Sequence, residues 1–305
     1  MRLFKNRGDI YVPKTKFKSD VEQKVLISIL AFIIVFTTVF VIFIGFKYDF
    51  SAKKFFTPDD LKVVAVENDD VLPQVSGKKN YLFIMNNEDT KEMYFCTVIQ
   101  VDLDTLSYKA ATIKNDTQIE GKKLSEIYAN AGGAGVQTNL NAYLGINIDY
   151  YVDESVNNFS DWFDSLGKVN YTLIDDVRYK DTSRYGFNIK LKSGEQVLDG
   201  DKASKLLRYF AGEGDNISAV NDIFLAALSQ QINAENYDQR EKLFNVFIEK
   251  SETNFTVKDF TESVDGLKVL SDDTTGVNVY NVNTSCENGK LTEQSLSDIK
   301  AYFAK

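Results

Sequence analysis

The residues from Val25 to Phe46 form an apolar run of 22 residues that contains no charged side chain. A helix of this length rises about 33 Å, which is enough to cross the hydrocarbon core of a bilayer. The alternative is a cleaved signal peptide, whose apolar core is shorter and ends at a small-residue cleavage site. Here the charged sequence Lys47-Tyr48-Asp49 follows instead. The run therefore predicts a transmembrane helix that stays in the mature protein.

The residues in front of this run indicate how the chain crosses the membrane. Residues 1–24 contain seven Lys or Arg side chains and three Asp or Glu side chains. Positive charge beside a span is retained on the cytoplasmic side. We therefore expect a cytosolic basic arm at 1–24, a single pass through the cell membrane at 25–46, and an extracytoplasmic remainder.

The composition excludes several kinds of chemistry. The chain has no histidine, so a Ser-His-Asp triad, a Cys-His dyad and the usual histidine-bearing zinc sites cannot be formed. The net charge of −9 divides into +4 for residues 1–24 and −13 for residues 47–305. An exterior this acidic argues against nucleic acid as a partner.

The two cysteines, Cys96 and Cys286, leave two possibilities open: one disulfide in an oxidising compartment, or two buried thiols. Cys96 lies in an apolar run typical of a strand. This position favours a buried thiol.

Proline placement and apolar periodicity divide the exterior chain. Pro58 and Pro73 lie in residues 47–79, which predicts a stalk, and no proline follows. We expect one domain at 80–250 and a C-terminal extension at 251–305 that is either packed on the domain or appended to it. Three short apolar runs predict strands at the centre of a sheet: Tyr81–Met85, Phe95–Val101 and Leu106–Ile113.

Helical patterns alternate with further strands along the domain. One helix is predicted around Val136 to Leu144, with Gly145 as its terminator, and a second carries Phe159, Trp162, Phe163 and Leu166. The glycines between Tyr128 and Gly135 are followed by no Walker lysine, so they predict a turn before the first helix. The alternation predicts an α/β fold, specifically a three-layer α/β/α sandwich with a mixed sheet, preceded by the transmembrane helix.

Several phrases of the domain resemble the LytR-CpsA-Psr family of membrane-anchored envelope proteins. Residues 139–152 (NLNAYLGINIDYYV), followed by Phe159 and Leu166-Gly167, are similar to the family's LLGIPIDYYV stretch. Residues 113–117 (IKNDT) occupy the place of its IPRDT motif, and residues 191–203 are similar to its L.G.Q.LNG..AL segment. The resemblance covers about residues 80–235. The predicted transmembrane helix in front of them is the kind of anchor that the family has.

This resemblance implies that a glycopolymer is moved from a polyprenyl pyrophosphate carrier to a peptidoglycan hydroxyl. Such phosphoryl transfer needs arginine forks and a divalent cation around the pyrophosphate, because negative charge has to be neutralised on the transferring and leaving groups. The implied partners are the membrane through Val25 to Phe46, a polyprenyl-linked glycopolymer or peptidoglycan, and cell-wall proteins. Magnesium is expected as a cofactor only if transfer activity is retained.

The sequence departs from the family at most of the positions that would carry this chemistry. An amide or a neutral side chain replaces an expected aspartate or arginine at Asn87, Tyr94, Asn115, Phe210, Ser218 and Asn221. From Tyr209 to Gln239, 31 residues contain no Lys or Arg. Each lost transition-state donor typically costs about 3 to 4 kcal/mol, so these losses together would remove most of the rate enhancement.

Two charged residues of the family's motifs remain, Asp116 and Arg208, and they are the surviving catalytic candidates. The ligand-binding candidates are Asn87, Lys114, Asp116 and Arg208, and no metal ligand is assigned. The alternative roles are structural: Asp116 as a helix or loop cap, Arg208 as a helix-surface cation and Asn87 as a turn residue. We expect a degenerate, non-catalytic binding or scaffolding module. The other hypothesis is an active phosphotransferase that uses Lys114 and Arg208.

Overall fold

The computed structural model describes residues 72–304. Its strands are β1 (Lys78–Asn86), β2 (Met93–Asp102), β3 (Ser107–Lys114), β4 (Gln118–Ile119), β5 (Lys122–Lys123), β6 (Tyr150–Ser155), β7 (Val169–Leu173), β8 (Val177–Lys180), β9 (Asn188–Leu191), β10 (Gly194–Leu198), β11 (Glu252–Thr253), β12 (Asn278–Asn281), β13 (Cys286–Glu287) and β14 (Lys290–Leu291). Its helices are α1 (Leu124–Leu144), α2 (Val156–Leu166), α3 (Gly200–Ala211), α4 (Ile217–Gln231), α5 (Ala234–Asp238), α6 (Arg240–Lys250), α7 (Val257–Leu270) and α8 (Glu293–Phe303).

A six-stranded mixed sheet in the order β11-β6-β1-β2-β3-β12 organises the domain. The first three strands form an antiparallel meander at its centre, as the apolar runs predicted. Strand β6 is parallel to β1, and β12 is parallel to β3. The remaining strands form four two-stranded pairs. Strand β9 begins at Asn188, because the three residues before it, Tyr185 to Phe187, belong to a loop.

Helix α1 begins well before the predicted helix, so the prediction of a turn at residues 128–135 is wrong. Gly132 adopts φ 59° and ψ −161° inside the helical run, which only glycine takes readily. A β-carbon on Gly133 would lie 2.7 Å from a ring carbon of Tyr151. The glycines therefore let α1 bend and approach β6 closely. They do not form a loop. The predicted end of the helix is confirmed, since Gly145 adopts a left-handed conformation there.

Side chains of the sheet alternate between two hydrophobic cores, one on each face. Leu82 and Ile84 of β1 pack in a core with residues of α1 and α8. Phe83 and Met85 pack in the opposite core with residues of α2, α3 and α4. The second core is rich in aromatic rings, with the Phe83 centroid 5.0 Å from Phe224 and 5.6 Å from Phe159. Burial on both faces explains why β2 is apolar along nearly its whole length.

The last part of the chain takes part in this sheet and its cores. Strands β11 and β12 pair with the outer strands β6 and β3. Ile299 and Phe303 of α8 are fully buried. The backbone oxygen of Phe303 accepts hydrogen bonds from the side chains of Asn80 (3.1 Å) and Gln100 (3.2 Å). These bonds fix the end of α8 beneath the start of β1.

Both cysteines are free: Cys96 is buried, as its apolar strand predicted, whereas Cys286 is exposed. Within residues 72–304, no helix is long and apolar enough to cross a membrane. The predicted basic arm, the predicted span at 25–46 and most of the predicted stalk lie outside the described residues.

Candidate functional site

A cavity of about 450 Å³, here called the strand-end cavity, lies where β1 ends, beside the first turn of α2 and one face of α3. Asn87 follows β1 directly. Its Oδ1 accepts hydrogen bonds from the backbone nitrogens of Asp89 (3.0 Å) and Thr90 (3.2 Å), and its Nδ2 donates to the Tyr94 hydroxyl at 3.1 Å. These bonds give Asn87 the structural role of a turn residue while it also lines the cavity.

Arg208 provides an unpaired positive charge to this cavity. Its guanidinium carbon lies 4.1 Å from the ring centroid of Phe187 and 5.5 Å from that of Tyr94. Its Nε donates to the backbone oxygen of Ser204 at 3.4 Å. Among the described residues, no carboxylate forms an ion pair with it. The arginine is therefore held by aromatic faces, which attract a cation without neutralising it.

The other charged side chains of the cavity are mostly acidic. Glu88, Asp89 and Asp201 line it, together with Lys205. Lys205 Nζ is 2.7 Å from Asp201 Oδ2, so these two charges neutralise each other. Two carboxylates then face the single unpaired arginine, and the net charge of the lining is negative.

The structure separates the four predicted ligand-binding residues into two pairs. Asn87 and Arg208 line the cavity, whereas Lys114 and Asp116 do not. Lys114 forms an ion pair with Asp215. Asp116 is exposed, and the neighbouring Asn115 Nδ2 donates to the backbone oxygen of Met93 at 3.0 Å.

Positions at which the family resemblance implies arginines are occupied by side chains that hold the fold together. Phe210 is 8% exposed and belongs to the aromatic core. Asn221 is fully buried: its Oδ1 accepts from the Thr112 hydroxyl at 2.7 Å, and its Nδ2 donates to Asn281 Oδ1 at 2.8 Å. Asn281 in turn donates to the Ser218 hydroxyl at 2.9 Å. These bonds join α4 to β3 and β12.

Sequence reasoning missed the aromatic support of Arg208. Tyr94 was expected only to replace a charged residue of the family's motif, and Phe187 carried no signal, yet both rings contact the arginine. The presence of Arg208 was the signal from which this aromatic support could have been predicted. A partly buried arginine without an ion-pair partner needs other side chains to hold it. Burial raises the pKa of the nearby Tyr179 hydroxyl, and Arg208 partly opposes this rise.

Two buried carboxyl groups lie near the same end of the sheet, on β6. Asp153 Oδ1 accepts from Asn86 Nδ2 (2.7 Å) and from the Tyr128 hydroxyl (3.1 Å), and burial raises its pKa. Glu154 is 1% exposed, accepts a hydrogen bond from the Ser251 hydroxyl, and has an Oε2 without a hydrogen-bond partner. Burial raises the pKa of Glu154 to about 7. Nothing in the β6 sequence pattern distinguished these carboxyls from surface charges.

The side chains present do not fit the divalent cation that the family resemblance implies. No group of three Asp, Glu, Cys or His side chains within residues 72–304 is arranged to hold a metal ion. Asn87 and Tyr94 are neutral, and the Asn87 oxygen already accepts two backbone hydrogen bonds. Hard cations such as magnesium prefer carboxylate oxygens.

Comparisons with known proteins agree with this description of the fold. The sequence profile of the LytR_cpsA_psr family matches residues 96–302. Three solved structures share the fold: a protein from Eubacterium siraeum DSM 15702 (TM-score 0.64, 16% identity, 76% of this chain and 98% of that one), Bacillus subtilis TagV (TM-score 0.57, 19% identity, 75% and 97%) and TagT bound to LI-WTA (TM-score 0.53, 17% identity, 74% and 89%).

One sequence relative is an uncharacterized protein of Staphylococcus aureus (strain NCTC 8325 / PS 47), which is 26% identical over 149 residues. The match covers 49% of this chain and 35% of the relative, so the chain spans about a third of that relative's length.

The domain is thus a mixed α/β domain with the fold of TagV and TagT. The chain belongs to the LytR-CpsA-Psr family, because the family profile covers more than half of it.

Proposed function

We propose that this protein is a single-pass membrane protein that binds a lipid-linked wall glycopolymer without transferring it. In this proposal Val25 to Phe46 spans the membrane with the N-terminus in the cytoplasm. The described domain is then extracytoplasmic. We propose that it is a three-layer α/β/α sandwich, which the hydrophobic cores on the two faces of its sheet support. TagT, which has the same fold, is bound to LI-WTA, and we propose a related glycopolymer or peptidoglycan strand as the ligand here.

The observation that carries the proposal is the charge of the strand-end cavity. Arg208 is the single unpaired cation among its described lining residues, and it faces Glu88 and Asp89. A pyrophosphate needs several cations to be held, and more to stabilise the charge that develops during transfer. One arginine beside two carboxylates can bind a polar or singly charged group. It stabilises the charge that develops during transfer too little for catalysis.

The side chains at the positions that could supply the missing positive charge already make contacts that stabilise the fold. Lys114 is neutralised by Asp215, and Asn221 and Ser218 belong to the hydrogen-bond network that anchors β12. Placing an arginine at 221 would put a charge where no exposed surface exists, at a cost of several kcal/mol. The arrangement therefore supports binding, with scaffolding of other wall proteins as a compatible role.

The second candidate is an active phosphotransferase, which the unpaired state of Arg208 favours. The two candidates are separated by incubating the purified protein with a polyprenyl-linked glycopolymer, a peptidoglycan acceptor and magnesium. The proposal expects binding of the lipid-linked substrate without release of polyprenyl phosphate. Arg208→Ala should weaken that binding, while Arg178→Ala, which changes an exposed arginine of β8, should leave it unchanged. Turnover that disappears in Arg208→Ala would establish the transferase instead.

A further inference from the structure

The strand-end cavity contains an unpaired positive charge whose hydrogen-bond donors are unused. The Nε of Arg208 donates to the backbone oxygen of Ser204, but its two terminal nitrogens form no hydrogen bond with any residue that the structure describes. The contact of the guanidinium with the ring of Phe187 uses none of these N–H groups as hydrogen-bond donors. A planar fork of donors therefore remains for an acidic group of a ligand.

The negative charges of the cavity come from the turn between β1 and β2. Asn87 fixes the shape of this turn, because its side-chain oxygen accepts hydrogen bonds from the backbone nitrogens of Asp89 and Thr90. Glu88 Oε2 accepts a hydrogen bond from Asn157 Nδ2 at 3.2 Å, at the first turn of α2. Within residues 72–304, neither Glu88 nor Asp89 forms an ion pair. Two carboxylates are thus held on a hydrogen-bonded turn with their charge available.

One aromatic side chain lies between the two charged parts of the cavity. The Tyr94 hydroxyl accepts a hydrogen bond from Asn87 Nδ2 at 3.1 Å, and the Tyr94 ring centroid lies 5.5 Å from the guanidinium carbon of Arg208. The turn with its carboxylates and the arginine are therefore neighbours across a single ring. The cavity that both of them line has a volume of about 450 Å³, which is within the range of small-ligand sites.

The rest of the lining is neutral in sum. Asp201 and Lys205 of α3 form an ion pair with each other. Tyr185 and Asn188 add a hydroxyl and an amide, which can donate and accept hydrogen bonds. Arg208 and the two turn carboxylates therefore determine which charges a ligand can carry.

These charges discriminate between classes of ligand. A simple anion is attracted by Arg208 and repelled by Glu88 and Asp89, and a simple cation experiences the opposite forces. A ligand that carries both an ammonium and an acidic group can place each charge beside its opposite. Contacts between like charges are an effective way to reject a wrong ligand, above all where the walls of a cavity exclude water. The lining is therefore complementary to a zwitterion.

We infer that the strand-end cavity recognises a zwitterionic unit, which means one ammonium and one acidic group on the same ligand. The acidic group accepts hydrogen bonds from the terminal nitrogens of Arg208, and the ammonium donates to Glu88 and Asp89. Wall polymers can present this chemistry as an aminoacyl ester beside a phosphodiester or as a peptide with free ends. The inference deepens the proposed function and rests on it for the polymer that carries the unit.

The test measures binding to the full chain in lipid nanodiscs by ligand-observed NMR. The probes are the dipeptide alanyl-alanine, its N-acetyl form and its C-terminal amide. We expect alanyl-alanine to bind about tenfold or more tightly than either capped form, because each cap removes one charge-assisted contact. Equal binding of the three probes, or tightest binding of the N-acetyl anion, would overturn the inference.

A second set of probes identifies the source of the zwitterion. A glycerol-phosphate oligomer is compared with the same oligomer carrying alanyl esters. Tighter binding of the esterified oligomer than of alanyl-alanine identifies the polymer as the source, and the reverse identifies a peptide. An unesterified oligomer that binds more tightly than alanyl-alanine and as tightly as its esterified form contradicts the inference but not the proposed function. If alanyl-alanine binds and the lipid-linked glycopolymer does not, the proposed function is wrong instead.

Two variants locate the binding. Arg208→Met should weaken binding of alanyl-alanine about tenfold and remove the preference over its C-terminal amide, while the preference over the N-acetyl form remains. Glu88→Gln/Asp89→Asn should have the reverse effects. Arg178→Met and Glu195→Gln, at exposed positions of β8 and β10, are the matched controls. If Arg208→Met is unfolded, the carboxylate variant decides the matter, because its positions are exposed. An undiminished preference over the N-acetyl form in that folded variant contradicts the site.

Discussion

The guanidinium carbon of Arg208 lies 4.1 Å from the centroid of the Phe187 ring, and no carboxylate of the described residues pairs with it. This contact defines both the candidate site and the limit of what the site can do. An arginine stacked on an aromatic face keeps its charge available to a ligand. In a pyrophosphate site several such groups act together, whereas here the neighbouring positions are acidic or neutral.

The same contact predicts a stability effect. Arg208→Ala should lower the free energy of unfolding by about 1 kcal/mol, since a partly buried cation–π contact with packed side-chain stem contributes this much. Urea titration of the purified protein measures the change. Arg178→Ala should have no measurable effect. Equal losses in the two variants would mean that the stacking on Phe187 contributes nothing to stability.

A buried polar network at the start of β1 predicts a larger effect. Lys109 Nζ lies 2.9 Å from Asp102 Oδ2 and 2.6 Å from Gln100 Oε1, and the Asp102 side chain is fully buried. Burial by itself would raise the pKa of Asp102, but the hydrogen bonds from Lys109 and Thr105 hold it below its ordinary value. Lys109→Met should cost about 3 kcal/mol, because it removes the hydrogen-bonded cation of a buried carboxylate and leaves only the longer contact of Lys78 Nζ at 3.7 Å.

The double variant Lys109→Met/Asp102→Asn is the matched control for this network. An asparagine at 102 can still accept the backbone hydrogen bonds from Asp104 and Thr105 through its side-chain oxygen, and it carries no charge. The double variant should therefore be more stable than Lys109→Met alone in urea titrations. A double variant at least as unstable as the single one would show that the buried charge is not the cause of the loss.

Much of the fold could be predicted from the sequence, since a strand buried on both faces leaves a continuous apolar run and a helix packed on the sheet leaves an apolar stripe. The three central strands and the helix around Phe159 and Phe163 are examples. The part of α1 up to its glycines could not be predicted as helix, because Gly132 and Gly133 usually indicate a turn. Only the contact with Tyr151 explains why a helix needs them there.

The candidate site was less predictable than the fold. Alignment to the family's motifs identified Arg208 and Asn87, but local sequence says nothing about long-range pairing. Lys114 is neutralised by Asp215, which lies 101 residues away in the chain. Nor could the sequence predict that Asn221 donates a hydrogen bond to Asn281 of β12.

The contribution of the Asn221 hydrogen bonds to stability can be tested by substitution. Asn221→Ala should lower the free energy of unfolding by about 2 to 3 kcal/mol, because the Thr112 hydroxyl and the Asn281 side chain lose a buried partner. Asn170→Ala, at an exposed position of β7, should change it little. Hydrogen exchange should also show faster opening of β12 in Asn221→Ala. Unchanged exchange there would argue against the anchoring role.

The two thiols should differ strongly in reactivity. Cys286 is exposed, whereas Cys96 is fully buried and burial raises its pKa to about 12. The thiolate is the reactive form, so Cys96 should resist alkylation until the domain unfolds. Mass spectrometry after a short maleimide pulse should find one label in the native protein and two in urea. The Cys286→Ser variant should take up no label in the native state, and rapid labelling of that variant would contradict the burial of Cys96.

Glu154 predicts a pH dependence of stability. Its folded pKa of about 7 is above the ordinary value of 4.5, so between these values the folded protein binds more protons than the unfolded chain. The contribution is therefore largest below about pH 4.5, and stability is lost as the pH rises towards about 7. The shift corresponds to at most about 3 kcal/mol.

Glu154→Gln tests this dependence directly. The amide can still accept a hydrogen bond from Ser251 but does not titrate, so the variant should lose less stability than the wild type between pH 5 and pH 7.5 in urea titrations. The neighbouring Asp153, whose pKa is also raised by burial, titrates in both proteins and cancels in the comparison. Lys250 favours the ionised form of Glu154 and keeps its charge throughout this range. Parallel curves for the two proteins would mean that Glu154 is already ionised at pH 5, with its unpaired Oε2 reached by water.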